Sequence, residues 1–471
     1  MTTASTTAAS VSSSAAADHS LRLVIGCCAR RGAGAVTTRQ HPRTRAATPH
    51  HLNEVSLVRA SVGHTCAPPC RVPWTRDATY VSGRFPEAPA RAASGSWARW
   101  KRVAARYTVG LEEEVMLLEG GDLSLAQRSD TIIGRLSPVL TQHARQETHA
   151  GVVELVGGVH PQVSGAVSEL WGLRLRLALE LRAMGARAAC AGMHPLRPAK
   201  PTTISDAQRY QLIADEMRSL AQREPTMALH VHVAIPDPDE ATRVLVRIRN
   251  ALPLLVALAA NSPFSGGRDT GFASARTITF DGFPRTGPPR AYSSYDDYVT
   301  AIDALIASSA IPDSSFLWWD VRLQPSLGTV EVRVMDAQST VVDVAPLVAL
   351  VQSLARLEIE EHAEHEPVSN EVLAENRFLA ARDGLNARLI EPATGRLTPA
   401  RMLLGRLSEE CLPHAEALGC SAELEDVNRL TAANGAIRQR AWVRAGMDLT
   451  SVLSSLSQQF TTAVEPTRGP A

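Results

Sequence analysis

Residues 109–118, VGLEEEVMLL, place three consecutive glutamates inside a run of apolar residues. The length of the run and its valine and leucine content predict a buried β-strand. A buried carboxylate is costly unless a cation, a proton or hydrogen bonds neutralise it. Side chains two apart in a strand share a face, so Glu112 and Glu114 point one way and Glu113 the other. The fold must therefore supply a partner for a pair of acids on one face of a sheet.

Two further predicted strands repeat this spacing. The segment ALHVHVAI puts His230 and His232 on one face, and GTVEVRVMD puts Glu331 and Arg333 on one face. Solvated faces of antiparallel sheets also alternate in this way, but each of these pairs lies in strongly apolar sequence. Carboxylates combined with imidazole suit Mg²⁺ or Mn²⁺ better than a thiolate-rich site would. We therefore expect the three strands to contribute to one metal site.

The segment ETHAGVVELVGGVHP adds two more acids. Glu154 lies between valines in another short predicted strand, so we expect it to be buried and to need a partner. Glu147 is as well explained by a surface turn, and the spacing of the two acids does not decide between these interpretations.

The segment 260–292 is rich in glycine, proline, serine and arginine, and a loop of that length in a compact domain is usually functional. Arginine forks bind carboxylate and phosphate oxygens bidentately. The chain has only two lysines and no glycine-rich phosphate loop, so we expect arginines to bind phosphate. Arg276 and Arg285 are the favoured pair, whereas solubilising charge explains Arg268 and Arg290 better.

Periodicity predicts an α+β protein whose carboxy-terminal part is helical. Strands are predicted at 107–118, 152–156, 188–193, 228–235, 316–322 and 328–335. Helices are predicted at 127–143, 162–186, 206–222, 238–258, 294–308 and 343–363, and in four or five pieces over 369–462. Asp206 and Asp237 are the expected N-caps of their helices. After about residue 340 no further strand is expected.

The first hundred residues differ from the rest of the chain. They are rich in serine and arginine, poor in acids and without sustained periodicity, which predicts a disordered basic extension over residues 1–100. A transit peptide has the same composition, but we favour a start codon assigned too far upstream. The catalytic domain is then expected over residues 101–465.

The bulk composition excludes several classes of protein. The formal net charge is zero, and no apolar run reaches the roughly 18 residues of a membrane-spanning helix. We expect neither a membrane nor nucleic acid as a partner. Seven cysteines without repeated spacings argue against a disulfide framework and favour a reducing compartment, so we expect a cytoplasmic protein.

Several blocks of this sequence, taken in their order, resemble those of the carboxylate–amine ligase family, also called type 2 glutamate–cysteine ligases. The blocks are YTVGLEEE, ETHAGVVELVGG, LHVHVAI, NSPFSGGRDTGFASARTITF, FPRTGPP and WWDVRLQPSLGTVEVRVMD. The resemblance runs from about residue 107 to residue 460. It implies the glutamine-synthetase-like fold, in which an antiparallel sheet forms a funnel that holds ATP and two or three divalent ions.

The resemblance also implies roles for individual acids and for one histidine. Glu112 and Glu114 would be metal ligands, and His230 would match the metal-binding histidine of a neighbouring strand. Glu147 and Glu154 would form the acidic pair of the second block, contacting metal or the amino group of the bound amino acid. Glu331 would complete the metal set. The place of His232, on the same face as His230, is less certain.

Arginines have the phosphate-binding roles in this resemblance. Arg333 would contact ATP phosphate or the acyl phosphate, and Arg276 and Arg285 would hold phosphate or the substrate carboxylate. Arg333, Glu154 and Arg285 are accordingly the expected catalytic residues. Ser265 and Ala275 depart from the family pattern, since larger and often aromatic residues are expected there, and the leader before residue 101 has no counterpart in it.

The implied reaction joins a carboxylate to an amine through an acyl phosphate, with ATP and Mg²⁺ or Mn²⁺ as cofactors. Glutamate and cysteine are the name-giving substrates, and a homodimer is compatible with the sequence. Two alternatives stay open: a metal-dependent amide hydrolase and a non-catalytic protein that binds metal or nucleotide. A hydrolase would leave the arginine-bearing loops unexplained.

Overall fold

A computed structural model describes residues 95–198, 200–361 and 367–463. The predicted basic extension lies outside these residues up to position 94. From position 95 onward the chain contacts the domain: the indole of Trp97 donates to Asp303 Oδ1 at 2.7 Å, and that of Trp100 donates to the Ile235 carbonyl at 2.9 Å. Of the seven cysteines, the three within the described ranges are free and buried.

The described residues form eleven strands and fourteen α-helices. The strands are β1 Val109–Glu119, β2 Ala144–Gln146, β3 Val152–His160, β4 Ala186–Ala189, β5 Ala228–Ala234, β6 Phe264–Ser265, β7 Arg268–Asp269, β8 Val321–Gln324, β9 Thr329–Asp336, β10 Arg388–Glu391 and β11 Arg396–Pro399. The helices are α1 Ser129–Ile133, α2 Pro138–Thr141, α3 Val163–Ala183, α4 Gln208–Met217, α5 Pro238–Ala259, α6 Ala275–Phe280, α7 Tyr295–Ala307, α8 Val341–Glu361, α9 Asn370–Asp383, α10 Ala400–Leu418, α11 Ser421–Glu425, α12 Val427–Ala432, α13 Gly435–Arg444 and α14 Leu449–Gln459.

One seven-stranded antiparallel sheet organises the domain. Its order is β2-β3-β1-β5-β9-β8, and β4 pairs with the second half of β1. The long strand β1 therefore lies between β3 on one side and β5 and β4 on the other. Its register sets Glu112 opposite His230 and Glu114 opposite Glu154. The predicted α+β class with an antiparallel sheet is confirmed.

Helices α3, α5 and α8 contact the sheet, and their apolar side chains fill the main core. The carboxylate of Glu113 points into this layer, where it forms an ion pair with the guanidinium of Arg174 from α3. Both side chains are fully buried. A buried charge left alone would be strongly destabilising, so each residue stabilises the other in place. The prediction that Glu113 faces away from Glu112 and Glu114 is confirmed.

The segment 260–292 contains more regular structure than its sequence indicates, namely the β6–β7 hairpin and α6. Its anchor is the buried carboxylate of Asp336 at the end of β9. The hydroxyls of Ser262 and Ser274 donate to it at 2.7 and 2.8 Å, and the backbone N–H of Asn261 donates to it at 2.8 Å. A Cβ at Gly192 would lie 2.6 Å from Asp336 Cγ, so only glycine fits against this anchor.

Several sequence-based assignments are wrong. The helix predicted at 127–143 is two short helices, α1 and α2, because Gly134 ends the first and Pro138 begins the second. Strand β8 begins at Val321, five residues later than predicted, after a 3₁₀ turn over 314–316. Beyond residue 340 the chain forms one more hairpin, β10–β11, between α9 and α10.

The two predicted helix caps differ in outcome. Asp237 caps α5, since its side chain accepts from the amides of Asp239 and Glu240. Asp206 does not cap α4, because that helix begins at Gln208 and Ala207 occupies the N-cap position. Capping requires a side chain at the residue that immediately precedes the first helical turn, and Asp206 lies one residue too early.

Candidate active site

A cavity of about 260 Å³ opens on the sheet face away from Glu113. Strands β1, β3, β5, β8 and β9 form its floor, and residues of α4, α6 and the connecting segments form its walls. Its lining comprises Glu112, Glu114, Glu147, Thr148, His149, Glu154, Arg209, Tyr210, Ile213, Glu224, Thr226, His230, Arg276, Phe280, Phe283, Ser315, Trp318, Arg322 and Arg333. The structure therefore gathers acids, one central histidine, arginines and aromatic rings in one place.

His230 lies at the centre of the acidic groups. Its Nδ1 is 3.2 Å from Glu112 Oε2 and 3.9 Å from Glu331 Oε1, and its Nε2 is 3.8 Å from Glu114 Oε1. These separations follow from the register of β1, β5 and β9, which brings the like-facing side chains of three strands together. The common face predicted from strand parity is confirmed.

Two overlapping triads in the described chain have a geometry that a metal ion could use. One is Glu112, His230 and Glu331, and the other is Glu114, Glu154 and His230; within each, the ligand atoms lie within 4.8 Å of one another. Carboxylate oxygens with one imidazole form the donor set expected for Mg²⁺ or Mn²⁺ rather than for a thiolate-bound metal. The residues present therefore fit divalent cations.

Glu331 is the most enclosed member of these triads, with no exposed side-chain surface. Its oxygens accept from Arg322 Nε at 2.7 Å and from Gln324 Nε2 at 2.6 Å, and Arg333 also donates to it. Arg322 and Arg333 hold the pKa of Glu331 well below its usual range, despite burial, which acts in the opposite direction. Because its oxygens already accept from these donors, Glu331 is less free to bind a cation than the other acids.

The pKa values of Glu114 and Glu154 are shifted in the opposite direction from that of Glu331. Burial and the charge of Glu147 raise the pKa of Glu114 to about 8, although Arg276 and Arg333 oppose the shift. Burial and the charges of Glu112, Glu147 and Glu114 raise the pKa of Glu154 well above its usual range. Without a cation Glu114 therefore holds a proton at neutral pH, and the pKa of Glu154 is shifted in the same direction, as expected where carboxylates outnumber their neutralising partners.

The pKa values of His230 and His232 are shifted in opposite directions. Burial and the neighbouring charge of Arg333 lower the pKa of His230 to about 4, so its imidazole is neutral and able to bind a metal. For His232, burial acts downward, but the hydrogen bond and charge of Glu112 outweigh it and raise the pKa. His232 Nδ1 is 3.0 Å from Thr329 Oγ1, and His232 does not line the cavity. His232 holds the Glu112 carboxylate in position from outside the cavity, since its Nε2 lies 3.4 Å from Glu112 Oε1.

The predicted arginines fall into two groups. Arg333 and Arg276 line the cavity, and the Nε atom of each lacks a hydrogen-bond partner among the described residues. Arg276 also donates to the carbonyls of residues 333 and 334 at 3.0 Å, which ties α6 to β9. Arg285 is not among the lining residues. It donates to Glu216 at 2.7 Å and to the Phe316 carbonyl at 2.9 Å, and it stacks over Trp318.

Sequence reasoning missed several residues of this cavity. Arg322 binds Glu331 because the β8–β9 hairpin pairs the two residues directly. The strand predicted at 316–322 contains Arg322, but only the register of the β8–β9 hairpin shows that Arg322 lies opposite Glu331. Glu224, Tyr210 and Trp318 come from connecting segments or a short helix, where no spacing in the sequence indicates that they line the cavity.

Comparison with known proteins identifies the family of this chain. The model of the protein family "Glutamate-cysteine ligase family 2(GCS2)" matches residues 108–458. The chain belongs to this family. It is 36% identical over 352 residues to "Putative glutamate--cysteine ligase 2-1" of Rubrobacter xylanophilus, covering 74% of this chain and 94% of that protein. It is 32% identical over 363 residues to "Putative glutamate--cysteine ligase 2" of Thermobifida fusca, covering 75% and 91%.

A solved structure shares the fold of this GCS2 member. The glutamate–cysteine ligase of Francisella tularensis, determined in complex with AMP, superposes with a TM-score of 0.55 at 13% identity, covering 78% of this chain and 91% of that one. The predicted family and the glutamine-synthetase-like fold class are confirmed. The predicted class of activity, an ATP-dependent carboxylate–amine ligase, has the support of the family as a whole.

Helices long and apolar enough to cross a membrane do not occur in the part of the GCS2 member that the structure describes.

Proposed function

We propose that this GCS2 member joins the γ-carboxyl group of L-glutamate to the amino group of L-cysteine, with ATP converted to ADP and phosphate. The observation that carries the proposal is the pair of overlapping triads around His230, beside Arg333, on one face of the sheet. Cations held by the triads, together with Arg333, would neutralise the negative charge of phosphate groups bound in the cavity. The names of the relatives quoted above support the choice of glutamate and cysteine.

The acids of the two triads are the proposed metal ligands. A divalent cation would be held by Glu114, Glu154 and His230, or by Glu112, His230 and Glu331. The neutral imidazole has one nitrogen lone pair free, so His230 would be a ligand in only one of the two sets. Bound Mg²⁺ or Mn²⁺ would neutralise charge on the phosphate oxygens. Glu147 lines the same cavity without belonging to either triad, so we assign it to the amino group of the bound glutamate.

The cavity arginines are the proposed phosphate-binding groups. Arg333 Nη1 lies 3.4 Å from His230 Nδ1, which places the positive charge of the guanidinium beside the proposed metal ligands. Phosphoryl transfer depends mainly on positioning and charge neutralisation, and a fixed guanidinium supplies both. Arg276 lines the same cavity, where its Nε can bind a phosphate or substrate oxygen. The predicted role of Arg285 would require it to leave Glu216.

Acyl phosphate chemistry accounts for the kinds of residue in this cavity. The γ-carboxylate attacks the terminal phosphoryl group of ATP, and the amine then attacks the activated carbonyl carbon and releases phosphate. The enzyme needs no nucleophile of its own, and the cavity lining contains no cysteine. Cysteine would therefore act as a substrate and not as a catalytic residue.

A coupled assay for ADP release tests the proposal. The purified protein would be incubated with ATP, Mg²⁺ and a panel of carboxylates and amines, each alone and in pairs. The proposal predicts ADP release that requires glutamate and is fastest when cysteine is present. ADP release with another pair would change the substrates, whereas amide hydrolysis without ATP would replace the ligase by a hydrolase.

A further inference from the structure

A second cavity, of about 550 Å³, adjoins the first. It is lined by Arg197, Glu224, Ser265, Gly266, Arg268, Thr270, Phe272, Ala275, Ile278 and Thr279. The wall between the two cavities is α6: Arg276 and Phe280 line the first, whereas Ala275, Ile278 and Thr279 line the second. Glu224 lines both cavities, so the two meet at its carboxylate.

The second cavity has two free positive charges. The guanidinium groups of Arg197 and Arg268 are exposed, and neither has a hydrogen bond or an ion pair within the described residues. Arg290, by contrast, is paired with Asp297 outside both cavities. Arg268 begins β7 directly after Gly266 and Gly267, whose φ angles of 60° and 78° form the tight turn that presents it.

One negative charge faces the two arginines. Ser265 Oγ donates to Glu224 Oε2 at 2.5 Å, which holds the carboxylate in place and leaves Oε1 available. Ser265 and Ala275 are the positions where the family pattern predicts larger residues, and both small side chains lie in this lining. A cavity with two guanidinium groups and one carboxylate complements a molecule that has both a carboxylate and an amino group.

We propose that the second cavity binds the acceptor amine, and that it selects an amine bearing a carboxylate, as an α-amino acid does. This inference rests on the proposed ligase function and names the substrate class of its second half-reaction. Arg268 and Arg197 bind the carboxylate of the acceptor, and Glu224 binds its amino group at the junction with the first cavity. The small side chains of Ser265 and Ala275 leave room for amino acids larger than cysteine.

The position of Glu224 also gives it a chemical role. The acceptor nitrogen attacks the acyl phosphate carbon, a C–N bond forms, and the C–O bond to phosphate breaks with its electron pair leaving on phosphate. The acceptor nitrogen, bound as an ammonium, must give up one proton before the attack, which frees its lone pair, and a second proton after it. Glu224 Oε1 accepts the first, because it is the carboxylate oxygen that Ser265 leaves free at the junction, and the departing phosphate takes the second.

ATP is the competing occupant, since arginines also bind phosphates. An adenine ring would find more aromatic side chains to stack on in the first cavity. Its lining contains Tyr210, Phe280, Phe283 and Trp318, whereas that of the second contains Phe272 alone. The triads proposed to hold phosphate-bound cations also line the first cavity. Nucleotide therefore fits the first cavity better.

The test compares acceptors that differ only in the carboxylate. Rates of ADP release with ATP, Mg²⁺ and glutamate would be measured with L-cysteine and cysteamine, and with L-phenylalanine and phenethylamine. Arg268→Ala would be compared with Arg396→Ala, a control in which an exposed arginine without a side-chain partner is removed from the separate β10–β11 hairpin. Arg268→Ala should raise KM for an amino acid about tenfold or more, through loss of a charged hydrogen bond, and should change KM for the matching amine less than twofold.

Hydroxylamine separates this inference from the proposed function. As a small amine it traps an acyl phosphate as a hydroxamate, so glutamyl hydroxamate formed by the unmodified protein tests the proposed function alone. Absence of hydroxamate overturns both proposals. Hydroxamate formation combined with equal effects of Arg268→Ala and Arg396→Ala on amino-acid KM overturns the acceptor site only. An increase in KM for ATP in Arg268→Ala, or turnover with none of the four acceptors, also overturns it.

Discussion

Divalent-cation binding to this GCS2 member should weaken steeply as the pH falls below about 8. The pKa of Glu114 is raised to about 8 in the metal-free protein, so a cation bound to this carboxylate must displace a proton. Well below the pKa, each pH unit then lowers the apparent affinity about tenfold, and the loss between pH 8 and pH 6 amounts to roughly 50-fold. The pKa of Glu154 is also raised, which adds to the pH dependence of cation binding.

Calorimetric titration with Mn²⁺ between pH 6 and pH 8, in buffers of different ionisation enthalpy, measures both the affinity and the number of protons released. Glu114→Gln should bind more weakly at pH 8 and lose about one proton from the release. Glu119→Gln makes the same charge change at the far end of β1, outside the triads, and should behave like the unmodified protein. Affinity that is independent of pH, or a full proton release in Glu114→Gln, would refute this account of the acids.

Three further predictions concern catalysis and stability. Arg333→Ala should lower kcat about 10²–10³-fold while the protein stays folded, since it removes a fixed charge beside the phosphates; steady-state kinetics with a circular-dichroism control checks this. Arg174→Met leaves the Glu113 carboxylate buried without its partner and should cost about 3–5 kcal/mol in urea unfolding; an unchanged unfolding midpoint would contradict the packing described. Gly192→Ala pushes a methyl group against Asp336 and should cost about 1–3 kcal/mol by the same assay, which a neutral result would disprove.

The metal-free protein should respond to pH through Glu114 as well. Folding raises the pKa of Glu114 from 4.5 to about 8. Between pH 4.5 and pH 8 the folded state therefore holds a proton that the unfolded state has lost. The stability that this group contributes is fully present below about pH 4.5 and is lost as the pH rises towards 8. Added Mn²⁺ should therefore raise the melting temperature more at pH 8 than at pH 6.

The floor of the site was predictable because strand parity is a local property. The alternation in β1, β5 and β9 fixes which side chains share a face, and pairing of the strands brings His230 beside Glu112. The same rule sends Glu113 to the helical layer, although only the structure shows that Arg174 of α3 is its partner. An ion pair between residues 61 apart in the chain leaves no trace in sequence spacing.

The walls of the site were not predictable in the same way. Glu224 and Trp318 come from irregular segments whose paths depend on tertiary anchors, such as the contacts of Asp336. Arg285 shows the reverse case, since its loop position favoured a phosphate role and the structure pairs it with Glu216 outside the cavity. Periodicity carries no information where the backbone is irregular, so side chains of such segments must be located in three dimensions.

Transfer of oxygen from glutamate to phosphate is the most direct test of the central claim, that this site activates a carboxylate by phosphorylation. The protein would be incubated with ATP, Mg²⁺, cysteine and glutamate labelled with ¹⁸O in its γ-carboxyl group, and the released phosphate would be analysed by mass spectrometry. An acyl phosphate intermediate predicts one ¹⁸O atom in each phosphate released with the amide. Amide formation with unlabelled phosphate, or ATP hydrolysis independent of glutamate, would contradict the account.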